Sequence, residues 1–127
     1  MADTNPGDRP LSPHLQVYRM PLNATLSILH RATGVAMAAS GLLIVWWFLA
    51  AATSEAYFDF VNGLMTSWLG DIVMTLSLIA IWFHFSNGIR HLIWDTGSYF
   101  GQKRVRRTAM VGLAFTAIMV IITIWVG

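Results

Sequence analysis

Cysteine is absent from the 127 residues of this chain, which excludes disulfides, thiol chemistry and iron–sulfur ligation by the chain itself. Charge is scarce as well: 11% of residues are Asp, Glu, Lys or Arg, against roughly 25% in an ordinary soluble domain. The N-terminal stretch MADTNPGDRPLSPHLQVYRMP lacks both the apolar core of a secretory signal and the Arg/Ser-rich character of a transit peptide. No internal repeat or low-complexity run is present. The basic residues lack the interleaved aromatics of a nucleic-acid surface, so nucleic acid is not an expected partner. What the chain has in quantity is apolar surface. Hydrophobic residues make up 56%, with six tryptophans and seven phenylalanines, the composition of a membrane protein with aromatics at the lipid boundary.

A membrane-crossing helix needs about 20 mostly apolar residues, and three stretches qualify: about Ala32 to Ala52, Trp68 to Ile89 and Thr108 to Val126. These predict an all-α membrane protein, a single membrane-anchor domain over residues 1–127 with a polar N-terminal segment, 1–26. Arg9, Arg19 and Arg31 precede the first span. Arg90, Lys103, Arg104, Arg106 and Arg107 lie between the second and third, while the other loop carries Glu55 and Asp59. The positive-inside rule therefore places the N-terminus and the second loop in the cytoplasm or its organellar equivalent, and the C-terminus outside. The run KRVRR at 103–107 reads as a solvated anchor suited to anionic lipid headgroups.

After Pro21, Asn23 or Thr25 is suited to cap an extension of the first helix. Ser27, His30 and Arg31 would then occupy its first turns at the inner interface, with Ser27 and Arg31 four apart on one face. Gly34, Ala38 and Gly41 form a small-residue track of the kind that admits a neighbouring helix. Three helices are too few to enclose a large cofactor, so a second membrane subunit or self-association is expected.

His84 stands within the second predicted span, and an ionisable side chain at that depth is by default a candidate functional group. Two chemistries suit it: a proton relay, or an axial bond to haem iron. The plain structural alternative is a hydrogen bond across helices. Gly88 and His91 follow at four and seven residues, close to one stripe of a helix, with the two histidines about 10.5 Å apart along its axis. Gly88 would leave room for a macrocycle, and His91, beside Arg90 and near Asp95, would lie at the rim, where polar anchoring is the plainer reading. Two histidines on one helix cannot reach opposite faces of a porphyrin. His14 and His30 are expected at or outside the inner boundary, so a second axial ligand would come from a partner. Ser27, His30 and Arg31 bring together a hydroxyl, an imidazole and a guanidinium. A guanidinium binds carboxylates through paired hydrogen bonds, as haem propionates would require, and a quinone carbonyl accepts from a hydroxyl or a cation. Anchoring by Arg31 and capping by Ser27 is the competing account. Trp46, Trp47, Trp82, Trp94 and Trp125 read as packing or boundary residues.

Two segments carry a family resemblance. RPLSPHLQVYRMPLNATLSILHRAT, from Arg9 to Thr33, contains an Arg-Pro pair followed by Ser-x-x-His-Arg-x-Thr. HFSNGIRHLIWDTG, from His84, contains His, three residues, Gly, an aliphatic residue, Arg-His and then aromatic-Asp. Both resemble, in the right order, the signatures of the cytochrome b membrane-anchor family of succinate dehydrogenase (respiratory complex II). Together they cover about a third of the chain. The resemblance implies that His84 is an axial ligand of haem b, with the other ligand on a smaller membrane-anchor subunit. It implies that His30, Arg31 and His91 lie near the haem or its propionates, and that Ser27 and Arg31 line a ubiquinone pocket. It also implies an iron–sulfur subunit and a flavoprotein subunit, which carry the succinate-oxidising chemistry of the tricarboxylic acid cycle and dock on the cytoplasmic face.

The alternatives are a cytochrome b anchor of a fumarate reductase or hydrogenase, and a haem-free helical scaffold or transporter subunit whose histidines relay protons. Two-haem cytochromes need four histidines at membrane depth, where this chain offers one. A transporter more usually shows broken spans or polar groups at the midplane. With no transit segment before the first span, the expected location is a bacterial inner membrane in preference to a mitochondrial one.

Overall fold

The computed structural model describes residues 19–98 and 101–127, so Arg9, Pro10 and His14 lie outside the described residues. Four helices form there: α1 (Leu22–Thr53), α2 (Glu55–Met65), α3 (Trp68–Asp95) and α4 (Gln102–Val126). α1, α3 and α4 are each long and apolar enough to cross a membrane, as the sequence predicts.

The three long helices agree with the expected spans at one end and overrun them at the other. α1 begins at Leu22 where composition marks about residue 32, α3 continues to Asp95 beyond about 89, and α4 starts at Gln102 ahead of about 108. At 1.5 Å per residue, the 32 residues of α1 reach about 48 Å, against a hydrocarbon core of about 30 Å. All three overruns carry arginine, at the same end of the bundle. Apolar composition marks the part of a helix that suits lipid; its hydrogen bonding continues into the polar boundary. Asn23 and Thr25 do not cap α1. The cap position is Pro21, in extended backbone and without a side-chain bond, which suits a residue with no N–H to donate.

α2 is not foreseen in the sequence. Ser54, in extended backbone, closes α1, and its hydroxyl accepts from the Tyr57 N–H at 3.3 Å to start α2. Helical spacing puts Tyr57, Phe58, Val61, Leu64 and Met65 on one stripe, and Val61 is fully buried. Two tryptophans of α1 hold this short helix: Trp46 Nε1 donates to the Tyr57 hydroxyl (2.7 Å) and Trp47 Nε1 to Asn62 Oδ1 (3.1 Å). Ser67 caps α3 by accepting from the Gly70 N–H. Gly70 has to be glycine, because a Cβ there would run into the carbonyls of Leu64 and Met65.

α3 is the central element, packed against α1 on one side and α4 on the other. Its contacts rely on polar groups as well as on Leu26, Phe83 and Ala109, which form a small core with Leu113. The buried Ser40 and Ser77 hydroxyls meet at 2.7 Å between α1 and α3. Ser86 Oγ donates to the Gly112 carbonyl (2.9 Å), and Trp82 Nε1 to Thr123 Oγ1 (3.0 Å), between α3 and α4. Interhelical hydrogen bonds of this type hold helices together where lipid removes the hydrophobic drive between them. Of the small-residue track, Gly34 packs against α3, while Gly41 faces open space.

Candidate functional site

α1 and α3 bring three imidazoles together near the arginine-rich end. The rings of His30 and His84 stack, with centroids 3.9 Å apart and planes 13° from parallel. His91 lies 5.2 Å from His30 at a tilt of 43°, with the Trp94 ring edge-on to it at 5.3 Å. All three histidines are half-buried. α1 starts early enough, at Leu22, to carry His30, and it lays that ring against the ring of His84, a contact that helical spacing alone does not predict. Stacking also limits what His30 can do. Ring nitrogen lone pairs lie in the ring plane, so two stacked faces cannot direct them at one atom held between the rings. Among the described residues, no three His, Cys, Asp or Glu side chains converge to hold a bare metal ion.

His84 Nδ1 is 3.0 Å from the His30 carbonyl oxygen and 3.2 Å from Thr33 Oγ1, which itself donates to that carbonyl at 3.0 Å. A carbonyl oxygen only accepts, so Nδ1 carries the proton, and Nε2 keeps its lone pair. No hydrogen bond among the described residues engages Nε2. The cross-helix bond that would explain a buried histidine on structural grounds thus occupies one nitrogen and leaves the other available. Gly34 is what lets the ring approach, since a Cβ there would stand 3.2 Å from His84 Cε1. At Gly88, one turn beyond His84, an added Cβ meets nothing within 4 Å.

Ser27, one turn before His30, is half-buried, and Arg31 and Asp95 are exposed. Ser27 and Arg31 share α1 with His30, and no hydrogen bond among the described residues joins either side chain to an imidazole. His30 Nδ1 is buried with no hydrogen-bond partner among the described residues.

Sequence reasoning gave Arg90 only a topological role. In the structure it is 5% exposed. It donates from Nη1 to Asn87 Oδ1 (3.0 Å) and from Nη2 to Asn23 Oδ1 (2.7 Å), and its guanidinium lies 4.1 Å over the Trp94 ring. Asn87 Nδ2 approaches the Leu26 carbonyl at 3.4 Å. This network joins the first turns of α1 to the last turns of α3 and fixes the spacing at which the histidines meet. Asn87, a polar residue within a span, was the readable signal.

The chain matches the family model for the succinate dehydrogenase/fumarate reductase transmembrane subunit over residues 5–123. A Paracoccus denitrificans protein named succinate dehydrogenase cytochrome b556 subunit is 43% identical over 98% of this chain and 95% of its own length. The b556 subunit of Rickettsia felis is 36% identical, covering 93% of this chain and 91% of that protein. A Marchantia polymorpha succinate dehydrogenase cytochrome b560 subunit is 32% identical over 92% of this chain and 89% of its own length. With a family match running almost end to end and three membrane-crossing helices, the chain belongs to the succinate dehydrogenase/fumarate reductase transmembrane subunit family.

Proposed function

We propose that this chain is the haem b-carrying membrane anchor of a succinate:ubiquinone oxidoreductase, multi-pass in a bacterial inner membrane with its arginine-rich end in the cytoplasm. The observation that carries the reading is the 3.0 Å approach of His84 Nδ1 to the His30 carbonyl oxygen: an acceptor there calls for the proton on Nδ1, which would leave Nε2 the lone pair that haem iron requires. A backbone carbonyl behind the ligating ring is the usual device for fixing tautomer and orientation at a metal. The surroundings fit a haem in two further respects. Gly88 leaves open space one turn from the ligand, and the unsatisfied His30 Nδ1 suits an acceptor such as a propionate, which this chain does not supply. His91 and Arg31 would assist at the propionates. Any further protein ligand would come from a second membrane-anchor subunit, since His30, stacked face to face on His84, could not direct a nitrogen at the same iron. When bound, the haem supplies a one-electron centre whose potential is set by its ligands and surroundings.

Succinate oxidation is assigned to a flavoprotein subunit and an iron–sulfur subunit docked at the cytoplasmic face, which deliver electrons to ubiquinone. Its reduction takes two electrons and two protons. Ser27 and Arg31 would hold one carbonyl oxygen, the hydroxyl by donating a hydrogen bond and the guanidinium by stabilising the negative charge that builds there. The three relatives described above are named for succinate dehydrogenase, which favours the succinate-oxidising direction over fumarate reduction. The test is the absorption spectrum of the purified complex: low-spin haem b at one per copy of this chain is expected, and a haem-free complex would leave the scaffold reading.

A further inference from the structure

Between α3 and α4, at the arginine-rich end, lies a cleft of about 610 Å³, within the size range of ligand sites. Ser86, Ile89 and Ile93 line it, and helical spacing puts them on the side of α3 away from His84 and Gly88. It is therefore separate from the imidazole cluster. Its character changes along its length. Ile89, Ile93, Val111 and Phe115 make apolar walls, and Arg90, Arg104 and Arg107 contribute three guanidinium-bearing side chains.

Two observations ask for an anion there. Arg90 is 5% exposed, and its Nε has no hydrogen-bond partner among the described residues; the Nε1 of Trp94, also lining the cleft, is likewise buried and unpartnered. α4 starts at the same end with no side-chain cap among the described residues and no acidic residue in its first turn, so the positive end of its dipole adds to the charge there. A neutral apolar helix laid in the cleft would leave these cations unanswered, and a free inorganic anion would leave the apolar walls uncovered.

We propose that the cleft binds an anionic phospholipid, its phosphate among Arg90, Arg104 and Arg107 and an acyl chain along Ile89, Ile93, Val111 and Phe115. Basic pockets between membrane helices select such headgroups by charge. Each guanidinium near an anionic headgroup contributes about fivefold in affinity. Removing two therefore weakens binding about 25-fold.

The whole complex is exchanged into detergent with equal phosphatidylglycerol and phosphatidylcholine, washed, and its retained lipid counted by mass spectrometry. The parent complex is expected to retain phosphatidylglycerol selectively. The R104Q/R107Q double variant should lose that selectivity, while assembly and succinate oxidation by a soluble dye persist. V111W, which fills the apolar part and keeps every charge, should lower retention too, and inorganic phosphate should not displace the lipid. Should the double variant fail to assemble, R107Q alone and V111W carry the test. Equal retention of phosphatidylglycerol by parent and variants overturns the proposal. So does displacement by inorganic phosphate with V111W unaffected, which would mean a simple anion site, and so does selective lipid absent from the parent, which would mean a protein segment fills the cleft. Haem content, read on the same samples, reports on the proposed function independently.

Discussion

His84 Nδ1 lies 3.0 Å from the backbone carbonyl oxygen of His30, so a single bond both joins α3 to α1 and leaves Nε2 as the ring nitrogen that the proposed haem would use. Packing and chemistry are the same contact here. A His84→Gln variant keeps a polar side chain able to bond α1 but has no imidazole lone pair. The complex is expected to assemble without its low-spin haem signal. An unchanged spectrum would remove His84 as the ligand.

Thr33 bears on the same nitrogen. Its hydroxyl donates to the His30 carbonyl and its oxygen is 3.2 Å from His84 Nδ1. Acceptors on Nδ1–H make an imidazole a stronger donor to iron, which favours the oxidised metal. Thr33→Val removes an acceptor that touches the ring directly, so the haem midpoint potential should rise. A hydrogen bond worth about 1 kcal/mol sets an upper limit of about 40 mV for a one-electron couple. Thr33→Ser should restore the parent value. A potentiometric titration that finds both variants at the parent value would leave Thr33 with a purely helical role.

Gly34 tests the closeness of the two helices. A methyl group there stands 3.2 Å from His84 Cε1, so the ring must yield by a few tenths of an ångström. Gly34→Ala should keep its haem with altered low-spin electron paramagnetic resonance g-values, and Gly34→Val should lose it. Retention of a parent-like signal in Gly34→Val would mean that the ring does not rest on this backbone when haem is bound.

The three spans were legible because twenty apolar residues in a row have one physical use, and the outer ends of α1, α3 and α4 fall close to where composition puts them. The inner ends were not. Leu22 to Arg31 is helical without being uniformly apolar, so a composition-based boundary could not show that His30 stacks on His84. α2 is too short for the same signal, although its stripe from Tyr57 to Met65 follows helical spacing. His84 stood out because a histidine in hydrocarbon is costly. Arg90 did not, because an arginine near a helix end is ordinary, and nothing in one sequence says that Asn23, sixty-seven residues away, will accept its hydrogen bond.

That Arg90 bond carries a stability prediction. Arg90→Met preserves volume but leaves the Asn23 and Asn87 carbonyl oxygens without their donor. Hydrogen bonds to a charged group contribute about 1.5–3 kcal/mol each, while those between membrane helices average about 0.6 kcal/mol. A loss of about 2 kcal/mol for the pair is expected, with Asn23→Ala costing about half as much. Thermal inactivation of the detergent-solubilised complex gives the comparison. An Arg90→Met complex as stable as its parent would show that the Arg90 bonds add nothing to the contacts that hold α1 against α3.

On the proposed function, variants of Ser27 and Arg31 should separate quinone binding from assembly of the complex. Neither side chain lies in the Asn23–Asn87–Arg90 network, so their replacement should leave the helix packing intact. Ser27→Ala removes one neutral hydrogen bond, worth about 1 kcal/mol, and should slow ubiquinone reduction about fivefold. Arg31→Gln removes a charged donor, worth about 1.5–3 kcal/mol, and should slow it between about tenfold and 150-fold. Succinate oxidation by a soluble dye bypasses the membrane site and should stay at the parent rate in both. Arg31 is exposed and Ser27 half-buried, so the larger effect at the more exposed residue would reveal charge stabilisation of the substrate, because packing losses would rank the two in the opposite order. Equal loss of dye and quinone activities in either variant would instead place that residue in the docking of the soluble subunits.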